Sequence, residues 1–412
     1  MRPATRGRRA WLVGCAMTNI AVLGGCGMPP TAAPVAVRPS ASPTPAAYPT
    51  SAPSRAGPTS AESFTVQESC AQVVANMSLS ERIGQLLMIG ISSNGINGSE
   101  KAIVEETRAG SVILMGNSTA GTDAIRRVVS NVQSAAPSPE GVQVMLAADQ
   151  EGGLVQRLKG PGFTAIPSAT VQARQSDNAL QRNAYDWGRE LKSAGIDANL
   201  APVADVVPMT MVWVNRPIGQ LRRGYGQSAD KVAAKVTAFT VGMDRAGVAT
   251  AVKHFPGLGR VRGNTDYRSR VVDTKTTRDD AALAGFRAAI AADVDMVMVS
   301  SATYRKIDED HRAAFSPMIM EEMLRKDLRF SGVVISDDLA AAAMRILPAD
   351  ERARRFIRAG GDLMIIGDAR LATRMADAIK DEVSDDAAFE ERVSESAARV
   401  VAMKERRGLA TC

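Results

Sequence analysis

The sequence predicts an α/β fold, a (β/α)8 barrel of the TIM type built from a single domain. Three observations lead there. Eight short apolar runs recur along the chain, at residues 85–91, 111–115, 143–148, 197–201, 248–253, 295–300, 332–336 and 362–366. They are continuous rather than alternating, as strands of a parallel sheet buried on both faces must be. Between most of them lie Ala-, Arg- and Asp-rich stretches with helical spacing, such as residues 229–246 and 279–292; strand–helix alternation implies a parallel sheet covered by helices. Setting the N-terminal segments aside leaves roughly 340 residues, within reach of one large barrel. Alternation does not by itself show closure, so a doubly wound open sheet is the alternative architecture.

The chain opens with segments outside that fold. Arg2, Arg6, Arg8 and Arg9 precede a short apolar stretch at residues 10–23, which reads as an export signal too short to span a membrane as a mature helix. Leu23-Gly24-Gly25-Cys26 has the pattern of a bacterial lipobox, in which the cysteine is lipidated and becomes the first residue. Leu12-Val13-Gly14-Cys15 also fits but leaves almost no apolar stretch before it, so Cys26 is the expected lipidation site. Residues 27–60 are dense in Pro, Ala, Ser and Thr and too poor in large apolar groups to bury a core, which makes them an extended tether. The expected organisation is a signal peptide at 1–25, a lipid-anchored linker at 26–60 and a barrel domain at 61–412, held outside the cytoplasmic membrane. Removing residues 1–25 takes away four arginines and no acid and lowers the formal charge from +6 to +2. The basic balance therefore signals export rather than nucleic-acid binding.

Two cysteines remain, Cys70 at the start of the folded region and Cys412 at the last position. Outside the cell such a pair is a natural disulfide, closing nearly the whole domain into one loop; two unrelated thiols are the alternative. The chain-entropy model gives such a bridge roughly 4–5 kcal/mol, less any strain. Before it, residues 389–409 read as an amphipathic helix with Arg406 and Arg407 in the last turn and Gly408 beyond.

The chemistry gathers where strands end. The fifth apolar run ends in Lys253-His254-Phe255-Pro256-Gly257, so two side chains able to donate hydrogen bonds stand where a buried strand opens into a loop. That is how binding sites are placed on α/β scaffolds, although a strand cap and a turn would also account for the segment alone. Other strand exits carry Asp149-Gln150-Glu151-Gly152-Gly153 with Arg157, Leu200-Ala201-Pro202-Val203-Ala204-Asp205, Ile218-Gly219 with Arg223-Gly224-Tyr225-Gly226, and Ile335-Ser336-Asp337-Asp338-Leu339.

In order and spacing these motifs resemble the N-terminal barrel of glycoside hydrolase family 3, in particular its single-domain bacterial β-N-acetylhexosaminidase branch. The resemblance runs from about residue 70 to residue 409. It implies an exo-acting retaining β-glycosidase, which needs a carboxylate nucleophile and a nearby proton donor. By motif, the nucleophile is Asp337, the first acid of the pair; Asp338 could instead cap the next helix. Asp149, Arg157, Arg223, Lys253 and His254 are expected around the first sugar, while Glu151 and Asp205 are either braces behind it or ligands. Arg223 follows a segment that is longer by two residues than the family pattern.

One feature departs from the family. Its hexosaminidase branch carries Asp-Ser-His on a mobile loop, the histidine protonating the leaving oxygen; those positions here are Asn264-Thr265-Asp266. A second histidine of the motif is Leu258, and the chain holds only His254 and His311, the latter in a polar stretch expected to be a solvated loop. Asp266 is the expected replacement, held protonated by burial and by the charge of Asp337, with the neutral Asn264 amide available to its carboxyl. The most direct reading is removal of N-acetylhexosamine from cell-wall-derived or other β-linked hexosides. A catalytically weak sugar-binding lipoprotein is the alternative, and transfer to phosphate is disfavoured because an acid at position 266 would repel the anion. No metal, nucleotide or cofactor signature is present: Gly257-Leu258-Gly259 lacks the rest of a dinucleotide fingerprint. The sequence names neither the sugar nor the oligomeric state.

Overall fold

The computed structural model describes residues 69–412. The expected signal peptide at 1–25, the expected lipidation site Cys26 and the expected linker at 26–60 lie outside the described residues. Eight parallel strands form the centre: β1 Leu87–Ser92, β2 Ser111–Met115, β3 Met145–Ala148, β4 Ala198–Asn199, β5 Ala249–Phe255, β6 Met296–Val299, β7 Val333–Ser336 and β8 Met364–Ile366. They neighbour one another in the order β7-β6-β5-β4-β3-β2-β1-β8. Ile335 bridges Leu363 in parallel, and the Ser336 N–H donates to the Leu363 carbonyl at 2.9 Å, so the two ends of the row meet. The sheet is a barrel, and the open alternative is ruled out.

Each strand divides its residues by a period of two, because successive side chains leave a strand on opposite faces. Met88, Ile113, Ala147, Ala251, Met298 and Ile335 fill the barrel interior. Their neighbours Ile89, Val112, Leu146, Val252, Val297 and Val334 pack outward into the layer shared with the helices. Helix Asp177–Ser193 begins where the Ser176 hydroxyl accepts the Ala179 N–H, and helix Ala229–Arg245 where Ser228 accepts the Lys231 N–H. The second helix stops at Gly247, whose φ of 75° suits a residue without Cβ, and β5 follows directly.

The last helix, Ala387–Arg406, starts on an Asp386 cap. Its Val400 and Met403, with Leu409 beyond it, belong to the barrel-interior cluster. The Leu409 carbonyl accepts the Gln143 N–H at 2.8 Å just before β3, so the chain's end plugs the N-terminal mouth of the barrel. Three residues later Cys412 is bonded to Cys70, with Cα atoms 4.9 Å apart.

Some local expectations shift. Gln85 is the end of helix Leu79–Gln85, which the Ser78–Glu81 capping box nucleates, rather than the start of β1. β4 is two residues long, shorter than the apolar run at 197–201. Residues 309–312 are not a loop: Asp308–Arg312 is an exposed edge strand, paired antiparallel with Thr303–Tyr304, which in turn pairs with Val272–Asp273. A hairpin, Gln150–Gly152 with Val155–Gln156, follows β3. Both additions extend from the C-terminal ends of strands, the catalytic face of barrels in general.

Candidate active site

At that face, charged side chains from β3, β4 and β5 and their loops form one continuous network. Lys253 and His254 leave the end of β5 where its ladder shifts register. Lys253 is buried, and its Nζ lies 2.7 Å from both Asp149 Oδ1 and Glu151 Oε1. Burial would depress the ammonium, but the carboxylates of Asp149 and Glu151 outweigh it and raise its pKa. Arg223 grips Glu151 through two parallel bonds, Nε to Oε2 at 2.8 Å and Nη2 to Oε1 at 2.7 Å, and its Nη1 donates to the Pro217 carbonyl at 2.9 Å. The two extra residues before Arg223 therefore do not displace it from the site.

Glu151 is fully engaged by these cations. Burial alone would raise its pKa, yet Arg223 and Lys253 hold it far below the usual carboxylate range. It positions Lys253 and Arg223 and offers no free oxygen. Asp205, fully buried, does the same for His254: its Oδ2 lies 2.8 Å from His254 Nδ1, and its Oδ1 accepts the Leu258 N–H at 2.6 Å. Arg223 Nη2 stands 3.3 Å from His254 Nε2. The ring is held between that guanidinium and the Asp205 carboxylate. Asp149 keeps part of its carboxylate open to the cleft, at 22% side-chain exposure. Arg157 hydrogen-bonds through its backbone N–H to the Asp149 carbonyl at 3.1 Å, while its half-buried guanidinium makes no ion pair among the described residues.

Asp337 stands at the end of β7, its backbone N–H tied to the Val299 carbonyl at 3.1 Å. Among the described residues it carries no cation partner, and its Oδ1 accepts only the Asp338 N–H at 2.9 Å. Burial lifts its pKa to about 6, with the charges of Asp266 and Asp338 adding to the rise and His254 and the Asp338 N–H opposing it. Asp338 has a different task. Its Oδ1 accepts the N–H groups of Ala340 and Gly367 at 2.8 and 2.9 Å, joining the exits of β7 and β8.

Asp266 lies near enough for its charge to act on both Asp337 and Asp338. Its side chain is exposed rather than buried. Its loop is docked on the segment after Asp337, the Thr265 carbonyl accepting from Ala343 at 3.0 Å and the Asp266 carbonyl from Ala342 at 3.3 Å. Asn264 does not meet the Asp266 carboxyl: its Oδ1 takes the Asp266 backbone N–H at 3.0 Å, an Asx turn that shapes the loop. Exposure follows from this geometry, because the turn directs the chain outward before it returns to Val272.

Two supporting residues carry no signal in the sequence. Asn215 is fully buried and uses its whole amide, donating to the Leu258 and Val261 carbonyls and accepting from Ile218 and Gly219. It ties the loop leading to Arg223 to the loop leading to Asp266. Tyr304, kept protonated by burial, donates to the Gly257 carbonyl at 2.9 Å and pairs with the Ser300 hydroxyl, anchoring the turn after His254. Both lie outside any recurring motif.

A family model described as the glycosyl hydrolase family 3 N terminal domain matches residues 78–403. A β-hexosaminidase of Stenotrophomonas maltophilia strain K279a is 30% identical over 295 residues, covering 68% of this chain and 83% of that protein. Among solved structures, a β-N-acetylhexosaminidase of Beutenbergia cavernae aligns with a TM-score of 0.79 at 41% identity, over 80% of this chain and 99% of that one. A family 3 β-N-acetylglucosaminidase of Paenibacillus aligns with a TM-score of 0.72 at 28% identity, over 82% of this chain and 64% of that one. The chain therefore belongs to glycosyl hydrolase family 3, whose N-terminal barrel it carries, and is a glycoside hydrolase similar to the bacterial β-N-acetylhexosaminidases of that family.

Proposed function

We propose that the protein is an exo-acting, retaining β-N-acetylhexosaminidase with Asp337 as nucleophile and Asp266 as general acid/base. The observation that carries this reading is the division of labour among the acids around the cleft. Asp149 and Glu151 are bound to cations and Asp205 to His254, whereas Asp337 and Asp266 have no ion-pair partner among the described residues and still feel each other's charge. Two unpaired carboxyls in one cleft suit the two roles that retention requires. In the first step an Asp337 oxygen bonds to the anomeric carbon while the Asp266 carboxyl gives its proton to the departing oxygen. In the second, Asp266 takes a proton from water, whose oxygen displaces Asp337 and restores both groups.

Lys253 and the open oxygen of Asp149 are suited to hold ring hydroxyls, since charged hydrogen bonds in a buried site are stronger than neutral ones and orient a sugar for attack. Arg157, without an ion-pair partner among the described residues, is a further donor. The names of the relatives support N-acetylhexosamine as the sugar. Cell-wall-derived glycans fit the export signal and the lipobox at Cys26, which would tether the enzyme to the membrane's outer side. Incubation of the full chain with an aryl β-N-acetylglucosaminide, followed by NMR, should show the β-anomer of N-acetylglucosamine released first. Release of the α-anomer first, or no release, would contradict the proposal. Cys26→Ala should free the protein from the membrane fraction; unchanged membrane association would refute lipid anchoring there.

A further inference from the structure

We propose that a recess in the outer helical layer, at the end of the barrel opposite the active site, binds a phosphate ester. It lies between helices Asp177–Ser193 and Ala229–Arg245, whose C-terminal ends lead into β4 and β5. The helices touch where Gly188 faces Ala246; a Cβ on that glycine would stand 2.6 Å from the Ala246 Cβ. This close approach stacks two arginines on one ring. Arg189, one turn after Tyr185 on its own helix, and Arg245, from the neighbouring helix, lie 5.9 and 5.7 Å from the centroid of the Tyr185 ring. Around them is a space of about 360 Å³, completed by Lys192, Ser193 and Ala246.

Neither guanidinium has a counter-charge. Arg189 and Arg245 are exposed and make no ion pair and no side-chain hydrogen bond among the described residues. The neighbouring acids are engaged elsewhere, Glu190 with Thr164, Asp197 with Lys192 and Asp244 with Arg407. Asp186, next to Tyr185 in the chain, bonds to neither arginine. A lone exposed arginine is usually a solvated side chain, and the helix macrodipole favours a cation in a last turn. That accounts for Arg245 and not for a second arginine facing the same ring. The ring attracts each guanidinium through its face and takes none of its N–H donors, so two like charges are held together with their edges free. An anion in the recess would relieve that repulsion. A carboxylate is planar and is gripped edge-on by one guanidinium, as Glu151 is by Arg223; a tetrahedral phosphate offers oxygens to donors arriving from two helices at once.

Two sources supply such a group. Asp244, beside Arg245, is tied by Arg407 to the C-terminal segment that ends at the Cys70–Cys412 bond, so the recess shares the end of the barrel at which the chain enters the described fold. A lipid anchor at Cys26 would bring that end toward a membrane, where the ester is a phospholipid headgroup. A soluble phosphate ester is the other source.

The test is calorimetric titration of the full chain carrying Cys26→Ala with glycerol 3-phosphate and with dihexanoyl phosphatidylglycerol kept below its micelle concentration, acetate and glycerol serving as comparisons. At least one phosphate compound should bind about tenfold more tightly than acetate at about 50 mM salt and more weakly at about 500 mM, and glycerol should not bind. Tighter binding of the lipid assigns the recess to a headgroup, tighter binding of glycerol 3-phosphate to a soluble ester. Arg189→Ala with Arg245→Ala should weaken binding about tenfold or more, and Arg189→Lys with Arg245→Lys should keep part of it. Residues 1–68 are common to every variant, so their own cations cancel in the comparison. Turnover of an aryl β-N-acetylglucosaminide should not move, because the active site lies at the other end of the barrel. Should the double variant misfold, Arg245→Gln alone reads the same loss. The site is overturned if neither phosphate compound binds, if acetate binds equally well, or if the same loss follows Arg305→Ala with Lys306→Ala, two exposed cations at the catalytic end.

Discussion

Asp337 and Asp338 are adjacent in the chain, yet the fold turns one into a strut and leaves the other free. Asp338 accepts two backbone N–H groups, from Ala340 and from Gly367 across the barrel seam. Asp337 accepts one, from Asp338 itself. Substitution should separate them: Asp337→Asn should lose at least about a thousandfold in kcat and stay folded. Asp338→Ala should unfold at lower denaturant concentration, by about 1–3 kcal/mol for the two lost bonds. A fluorosugar that traps the intermediate should label the peptide at Asp337, and label on Asp338 would reverse the assignment.

The raised pKa of Asp337 has a sign that can be checked. Its folded value of about 6 lies above the ordinary 3.8, so the folded state holds the proton more tightly. Stability from this group is full below pH 4 and is lost as pH rises toward 6. The resulting penalty at pH 7 is up to about 3 kcal/mol. Asp337→Asn should therefore raise the melting temperature at pH 7 and bring little gain near pH 4, while wild-type kcat/KM should fall as pH drops below about 6 and the proposed nucleophile is protonated. An Asn variant that is less stable at both pH values would contradict this balance.

Asp266 is tested by leaving groups. A proton donor matters most when the departing oxygen is a poor leaving group. Asp266→Ala should cut turnover of a disaccharide far more than that of an activated aryl glycoside, with azide partly rescuing the second step. Equal losses on both substrates, or none, would make the residue structural.

The bond between Cys70 and Cys412 spans 342 residues and fastens the C-terminal segment that plugs the barrel. Cys70→Ser with Cys412→Ser should lower stability by about 2–5 kcal/mol in denaturant titrations. Addition of reductant should weaken the wild type and leave the variant unmoved. A variant as stable as the oxidised wild type would show that the bridge contributes nothing.

Strand identity was legible in the sequence because a buried parallel strand must be apolar along its length, and each of the eight runs became one. Lys253, His254, Asp149 and Asp337 were legible because polar residues at the end of such a run have nowhere to go but the catalytic rim. The pairing of Cys70 with Cys412 followed from their number and position. Other properties depended on partners far apart in the chain. Glu151 became a brace because Arg223, 72 positions away, meets it side-on, and the Asn215 link between loops has no local pattern at all. The burial expected for Asp266 failed for the same reason: an Asx turn at Asn264 and docking on Ala342 and Ala343 set the direction of its side chain. Apolar periodicity and strand-end chemistry are properties of neighbours in sequence, so the sequence by itself determined the eight strands, their catalytic ends and most of the acids and cations there, while closure of the sheet rests on the Ile335–Leu363 contact across the chain. Which acid is neutralised, which stays free and which arginines meet no counter-charge are sums over contacts brought together by folding, and only the tertiary structure decided them.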